Sequence, residues 1–305
     1  MHIIDKNFYP GWVRKSMTFT IDDGNLRLDK KFLDYVKPAG MKGTFNLCGN
    51  IAVNDVFPAL YDGYEIGNHC RMHANAMNDE RRKILRDELF DANTADPKYG
   101  YRTETEGLYR YHTYAWIYVA DDDLYLKLAR ECQENLVSIF GDERVKGFIW
   151  PCGWQNNLPL WEKLKAEGYH NIRATGCVKD TNGFSLPADL MHWSFNSNYT
   201  CMKETGEQYE AYPDDGQLKF YCFGVHSHDF ENAGRWDVLE DFCDRYGNRP
   251  CEFWYACVGE IFDYAAAVEK VIVTDEAVVN PTDIDLYITV DGKRVSLRRR
   301  SEYKL

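Results

Sequence analysis

The sequence of 305 residues lacks several features that would place it in familiar classes of protein. It has no run of about 18 apolar residues, so no segment is expected to span a membrane. Its N-terminus lacks the basic segment and apolar run of a signal peptide. None of its ten cysteines forms a C-x-x-C pair, which argues against a structural zinc knuckle. Scattered, unpaired cysteines are typical of reduced thiols, so we predict a cytoplasmic protein.

Positive charge is also in deficit. The chain has 36 Lys and Arg against 48 Asp and Glu, which gives a net charge of −12. Such a surface repels nucleic acid and anionic membranes, and it favours a neutral or cationic partner. The sequence contains neither G-x-G-x-x-G nor G-x-x-x-x-G-K-[ST], so nucleotide-binding folds lose support.

Short apolar runs of β type alternate with helical segments along most of the chain. The predicted strands are 16–21, 43–49, 64–69, 147–153, 171–176, 219–228 and 251–258. This alternation predicts an α/β fold with a parallel sheet covered by helices, and the number of units favours closure into a (β/α) barrel. We predict a barrel domain over 1–266, a Tyr-rich insertion at about 92–120, and a small β appendage over 267–305.

Ionisable side chains follow several of the predicted strands. Asp22 and Asp23 end the first strand, His69 ends the third, and His226 and His228 end a late one. Because functional residues of α/β barrels cluster at the C-terminal ends of the strands, these residues are expected to meet in one site. Residues two apart on a strand share a face, so His226 and His228 are predicted to point the same way.

A metal site is predicted from His69 and His73. They are four residues apart, a spacing that places both imidazoles on one face of a helical turn. With one carboxylate of the Asp22–Asp23 pair they form a three-ligand set that leaves coordination positions open, as a catalytic ion requires. Zinc is the best fit, and Co2+, Ni2+ and Mn2+ are alternatives. The other carboxylate is then available as a base.

Four motifs in this order, TFTIDDG, GNHCRMH, GFIWPCGWQNN and FGVHSHDF, resemble those of the polysaccharide deacetylases of carbohydrate esterase family 4. The resemblance covers roughly residues 14–264. It implies a distorted (β/α) barrel with fewer than eight regular strands. The implied activity is metal-dependent hydrolysis that removes N-acetyl groups from a sugar or oligosaccharide and, with little change in machinery, O-acetyl groups.

The resemblance also implies roles for individual residues. Asp22 corresponds to the general base, and Asp23, His69 and His73 correspond to the metal ligands. His226 corresponds to the general acid that protonates the leaving amine.

The third motif departs from the family pattern. Cys152 stands at a position whose backbone N–H serves the family as oxyanion donor, a role that survives a change of side chain. Ile149 replaces the arginine that pairs with the catalytic aspartate. We predict that Arg173, one strand later, supplies the missing guanidinium to Asp22.

Aromatic and histidine residues near the motifs and in the insertion are candidates for substrate contact. They are Trp150, Trp154, His112, Trp116 and His228. The predicted partner is an N-acetylated carbohydrate, with neither nucleic acid nor membrane. Two alternatives remain open: a hydrolase of a non-sugar amide on the same scaffold, and a catalytically impaired carbohydrate-binding protein.

Overall fold

The computed structural model describes residues 2–48, 56–76, 103–106, 109–112, 118–119, 122–151, 158–174 and 183–305. Most of the predicted insertion at 92–120 lies outside these residues. So do three of the predicted site residues, Cys152, Trp154 and Trp116.

Seventeen strands are formed by the described residues. They are β1 (Ile4–Phe8), β2 (Lys15–Asp22), β3 (Gly43–Leu47), β4 (Glu65–Asn68), β5 (Asn75–Ala76), β6 (Thr103–Glu106), β7 (Tyr109–His112), β8 (Tyr118–Val119), β9 (Val145–Ile149), β10 (Ile172–Arg173), β11 (Lys219–His226), β12 (Phe253–Tyr255), β13 (Ile272–Val273), β14 (Ala277–Asn280), β15 (Leu286–Val290), β16 (Lys293–Leu297) and β17 (Ser301–Lys304).

The same part of the chain forms eight α-helices and a short 3-10 turn at Arg71–His73. The helices are α1 (Leu26–Val36), α2 (Val56–Leu60), α3 (Asp122–Phe140), α4 (Leu158–Lys165), α5 (Met202–Ala211), α6 (Ser227–Ala233), α7 (Trp236–Tyr246) and α8 (Val258–Glu269). None of the helices within the described ranges is long and apolar enough to cross a membrane.

A parallel sheet of seven strands forms the centre of the fold. Its order is β10-β9-β4-β3-β2-β11, and β12 also pairs with β2. An irregular segment lies between the two outer strands: Trp193 forms a parallel bridge with Arg173 of β10, and Ser197 forms one with Phe223 of β11. The sheet therefore curls into a ring, and the predicted distorted (β/α) barrel is confirmed.

Strand β2 shows why the barrel can contain a polar site. Its apolar residues Met17, Phe19 and Ile21 belong to the core formed with the surrounding helices. The alternate residues are polar and also buried: Ser16, Thr18, Thr20 and Asp22. Because alternate residues of a strand share a face, this polar row ends at Asp22 on the side away from the helices.

The C-terminal strands form two small antiparallel sheets, β1-β15-β16 and β13-β14-β17. The first of these sheets includes β1 from the N-terminus. Its inner residues Leu286 and Ile288 pack with Ile261 of α8 in one hydrophobic cluster. The division of the chain at residue 266 stays a prediction.

A buried carboxylate lies at the opposite end of the barrel from the C-terminal strand ends. Glu65 is the first residue of β4. Its Oε1 accepts a hydrogen bond from the Thr44 hydroxyl (2.8 Å), and its Oε2 accepts one from the backbone N–H of Gly259 (2.9 Å) in the first turn of α8. Burial raises the pKa of Glu65 from 4.5 to about 7 in spite of these bonds.

We expect Glu65→Gln to flatten the dependence of stability on pH. The pKa of Glu65 is higher in the folded than in the unfolded protein. Glu65 therefore contributes stability that is fully present below pH 4.5 and is lost as pH rises through about 7. The shift in pKa corresponds to roughly 3 kcal/mol of unfolding free energy. Glutamine cannot ionise but can still accept from Gly259. Urea unfolding at several values between about pH 5 and pH 8 measures how steeply the unfolding free energy changes with pH. Glu260→Gln, which alters another carboxylate that caps α8, is the control. An unchanged slope in Glu65→Gln would contradict the assignment.

Candidate active site

Asp22, the last residue of β2, is held by two side chains from other strands. Nη2 of Arg173 donates to Oδ1 and Oδ2 of Asp22, at 2.6 and 2.5 Å. Nδ2 of Asn46 donates to Oδ1 at 2.7 Å. Arg173 is fully buried. Burial alone would raise the pKa of Asp22, but the positive charge of Arg173 outweighs it and holds the pKa below its ordinary value. The carboxylate is therefore ionised and fixed in position.

The register of the sheet explains how Arg173 reaches Asp22. Arg173 of β10 is the direct Cα partner of Ile149 of β9. Paired residues of neighbouring parallel strands present their side chains to the same face. A guanidinium from position 173 thus enters the space that an arginine at position 149 would use, and it also lies over the ring of Phe195, 5.1 Å from the centroid. Its role in orienting the base stays a prediction.

Asp23 leaves the strand direction immediately after Asp22. Its φ is +79°, and that of Gly24 is +72°, so two successive residues adopt the left-handed region. Aspartate tolerates this conformation better than most residues. A Cβ at Gly24 would lie 2.7 Å from Cδ2 of Leu47, so only glycine fits there. The turn separates the two neighbouring carboxylates and directs Asp23 to the histidines.

Asp23, His69 and His73 form a compact buried group. Oδ1 of Asp23 lies 3.4 Å from Nε2 of His69 and 3.4 Å from Nε2 of His73. His69 follows β4, and the 3-10 turn after it brings His73 back beside it. Two atoms each about 2.1 Å from an ion at a tetrahedral angle lie about 3.4 Å apart. The spacing of these ligand atoms thus fits a divalent ion of zinc size.

The protonation of the group also suits a cation. Nδ1 of His69 lies 3.0 Å from the carbonyl oxygen of Ile149, which can only accept, so Nδ1 carries a proton and Nε2 is the nitrogen that faces Asp23. Nε2 of His69 and Oδ1 of Asp23 are buried without a hydrogen bond from the described residues. Burial lowers the pKa of His73 to about 4, so this imidazole is neutral. Two imidazoles and a carboxylate are a suitable ligand set for a divalent ion.

We expect the purified protein to retain about one divalent ion per chain, and His69→Gln to lose it. The substitution removes one of three ligands and leaves Asp23 buried without its cation. Elemental analysis after dialysis measures the ion. His192→Gln, at an exposed histidine, is the matched control and should retain the metal. Equal metal content in both variants would show that the ligand assignment is wrong.

His226 lies beside Asp22 and is held by the carboxylate of Asp229. It is the Cα partner of Asp22 at the ends of the adjacent strands β11 and β2. Oδ2 of Asp229 accepts from the backbone N–H of His226 at 2.9 Å and lies 3.0 Å from its Nδ1. Burial would lower the pKa of His226, but the charges of Asp23 and Asp229 raise it to about 10. The imidazole is therefore a cation that can donate a proton.

Asp229 was not among the predicted site residues, although the sequence contains a pattern that indicates its position. An acidic residue three positions after a strand end is typical of a helix N-terminus. Here Asp229 caps α6, which begins at Ser227. His226 and His228 do lie side by side, with ring centroids 4.7 Å apart and the rings stacked. They do not share a strand face, because β11 ends at His226 and His228 lies in the first turn of α6.

The remaining predicted substrate contacts are placed differently. Nδ1 of His228 lies 3.9 Å from Oδ2 of Asp23, at the edge of the ligand group. Trp150 is fully buried and stacks on Tyr125 and Trp161, with ring centroids 5.5 and 5.3 Å apart. A contact of Trp150 with substrate is therefore contradicted, since the ring is enclosed by other aromatic residues. His112 lies in β7, and nothing is described of its side chain.

Residues 13–105 match the sequence profile of the family described as polysaccharide deacetylase. This range contains the proposed base and the whole proposed ligand set. The match confirms the predicted resemblance to polysaccharide deacetylases over these residues, and it supports an enzyme of the hydrolase class.

Solved structures similar to the chain include deacetylases, an esterase and a CE4 family pseudoenzyme. One is the Xyl-CE4 domain of a multidomain xylanase from the hindgut metagenome of Trinervitermes trinervoides, with 16% identity over 83% of this chain and 92% of that one, at a TM-score of 0.46. A Streptococcus mutans CE4 esterase has 14% identity over 80% and 86% of the two chains, at a TM-score of 0.44. No curated protein matches the chain.

Proposed function

We propose that the protein removes N-acetyl groups from a sugar or oligosaccharide, using a divalent ion held by Asp23, His69 and His73. The observation that carries this proposal is the pairing of two opposite proton-transfer groups at neighbouring strand ends. Asp22 is an ionised carboxylate, His226 is a cation, and both adjoin the proposed ligand set.

The hydrolysis needs a base for water and an electrophile for the acetyl carbonyl. A divalent ion, when bound, polarises the carbonyl oxygen and lowers the pKa of water. Asp22 accepts the proton of the attacking water, since its carboxylate is ionised and outside the ligand set. Arg173 and Asn46 limit the orientations of Asp22, so the base is positioned before substrate binds.

The departing sugar nitrogen needs a proton, because an amine anion is a poor leaving group. His226 donates it from the nitrogen that is not held by Asp229. Asp229 fixes the ring through Nδ1 and stabilises the imidazolium. The backbone N–H of Cys152 is the predicted donor to the oxyanion, and this residue lies outside the described part of the chain.

The proposed substrate is a neutral acetylated carbohydrate whose deacetylated product is cationic, which is compatible with a chain of net charge −12. The alternative of an impaired carbohydrate-binding protein depended on the missing arginine of the third motif, and the contact of Arg173 with Asp22 weakens it. Zinc as the ion and the cytoplasm as the location stay predictions.

A deacetylation assay over acetylated mono- and oligosaccharides tests the proposal. The purified protein is assayed as isolated, after removal of metal by a chelator, and after addition of Zn2+, Co2+, Ni2+ or Mn2+. We expect release of acetate from N-acetyl oligosaccharides that is lost with the chelator and restored by metal. Acetate release from a non-sugar acetamide but from no carbohydrate would favour the non-sugar amide alternative.

A further inference from the structure

A second group of ligating side chains lies directly beside the first. His226, His228 and Asp229 each offer an atom suited to a metal ion, and these atoms all lie within 4.8 Å of one another. Their side chains are part-exposed, at 37%, 26% and 27%. An ion from solvent can therefore reach them, and they are more exposed than the first group.

The separations suit coordination of a divalent ion. Nδ1 of His226 lies 3.0 Å from Oδ2 of Asp229, and Nε2 of His228 lies 3.8 Å from Oδ1 of the same carboxylate. Ligand atoms about 2.1 Å from an ion are about 3.0 Å apart at a right angle and about 3.4 Å apart at a tetrahedral angle. Both separations are close to these values. The two imidazole rings are stacked, with centroids 4.7 Å apart, and they must turn so that one nitrogen of each converges on the ion.

Asp23 connects the two groups. Its Oδ1 faces the first pair of histidines, and its Oδ2 lies 3.9 Å from Nδ1 of His228. A ligating histidine commonly donates from its other nitrogen to a carboxylate, which fixes the ring and strengthens the ligand. At 3.9 Å the two atoms are too far apart for a hydrogen bond. The turn of the His228 ring that coordination requires would bring Nδ1 within reach of Asp23 while Nε2 faces Asp229.

We propose that His226, His228 and Asp229 form a second divalent-cation site adjacent to the first. The site is the weaker of the two. An ion there displaces the hydrogen bond between His226 and Asp229, and the positive end of the short helix α6 opposes a cation. An ion bound through Nδ1 would replace the imidazolium of His226 by a neutral imidazole, whose Nε2–H is a much weaker acid than the imidazolium, so His226 would lose its part as a proton donor. Excess metal therefore inhibits the deacetylation proposed above, and this consequence alone depends on that function.

Binding of Co2+ to the metal-free protein, followed by equilibrium dialysis and by visible absorption, tests the second site without any activity. We expect two ions per chain in a tight and a weak phase. His228→Gln should abolish the weak phase and keep the tight one, whereas His69→Gln should abolish the tight phase and keep the weak one. His192→Gln should keep both phases, as a histidine control on the surface. One ion per chain up to millimolar Co2+, or a weak phase that His228→Gln leaves unchanged, would overturn the proposal.

The inhibition is measured separately. Where the protein deacetylates, activity should fall as metal fills the weak phase, and His228→Gln should raise the inhibitory concentration by at least about tenfold. Absence of any activity would count against the proposed function and leave the binding result intact. Two-phase binding with no inhibition would show that the ion does not involve His226, and would overturn the assignment of this residue as a ligand.

Discussion

Replacement of Asp22 by Asn is expected to lower kcat/KM for an N-acetyl oligosaccharide by roughly 100- to 10,000-fold. The amide cannot accept a proton from water, although it keeps an oxygen for the hydrogen bonds of Arg173 and Asn46. Metal content should stay near that of the unsubstituted protein, because Asp22 lies outside the proposed ligand set. Acetate release and elemental analysis on the same preparation measure both quantities.

A loss of activity through unfolding has to be separated from loss of the base. Asp22→Asn leaves the guanidinium of Arg173 buried without its counter-charge, which is costly. The double variant Asp22→Asn with Arg173→Met removes both charges. It should unfold at a higher temperature than the single variant and remain as inactive. Recovery of activity in the double variant would mean that Asp22 is not the base.

Arg173→Met is expected to lower both stability and activity. It leaves the Asp22 carboxylate buried without its partner, which costs about 3–5 kcal/mol of unfolding free energy. It also releases the carboxylate from its fixed position, for which we expect at least about a 100-fold loss in kcat/KM. Denaturant unfolding and acetate release at saturating metal measure the two effects. If Arg173→Met changed neither the unfolding free energy nor kcat/KM, the arginine would have no role in the mechanism.

The register of β9 and β10 allows a test in which lost activity is recovered by moving the arginine to the neighbouring strand. A purely structural role of Arg173 would not give this recovery. Arg173→Ile with Ile149→Arg exchanges the residues of one register pair. The guanidinium then comes from β9 and can again reach Asp22. We expect the exchange to recover part of the activity that Arg173→Ile alone loses. The single variant Arg173→Ile is the control, and no recovery above it would contradict the argument.

The fold could be predicted to the level of a barrel because alternating β and helical patterns are local. The ends of strands and helices were harder to predict, since residues at a boundary can join either of the two adjoining elements. The predicted strand 251–258 is only β12, Phe253–Tyr255, because Glu260 caps α8 and draws Val258 into the helix. Asp229 has the same effect after His226. In both places a capping carboxylate three residues on decides the boundary.

The residues of the candidate site also differ in how well the sequence predicts them. The histidine spacing and the Asp22–Asp23 pair are local patterns, and the sequence placed them in one site. The contacts of Asn46 and Asp229 depend on neighbours in space, so periodicity could not reveal them. The contact of Arg173 with Asp22 could be predicted, because strand 171–176 follows strand 147–153 along the chain and was expected to lie beside it. Trp150 was misjudged because a sequence does not show which face of a strand end is enclosed.

The irregular closure of the barrel has a consequence for how the molecule opens. Between β10 and β11 the ring is joined by single bridges at Trp193 and Ser197, not by continuous ladders. Amides at such a junction exchange with solvent through local fluctuations, at a lower free energy than global unfolding. Arg173 is itself the bridge partner of Trp193. The residue that holds Asp22 thus lies beside a junction with fewer ladder hydrogen bonds than a regular strand pair. Hydrogen exchange at residues 172–174 and 193–197, which a melting temperature does not report, would show whether this junction opens before the rest of the barrel.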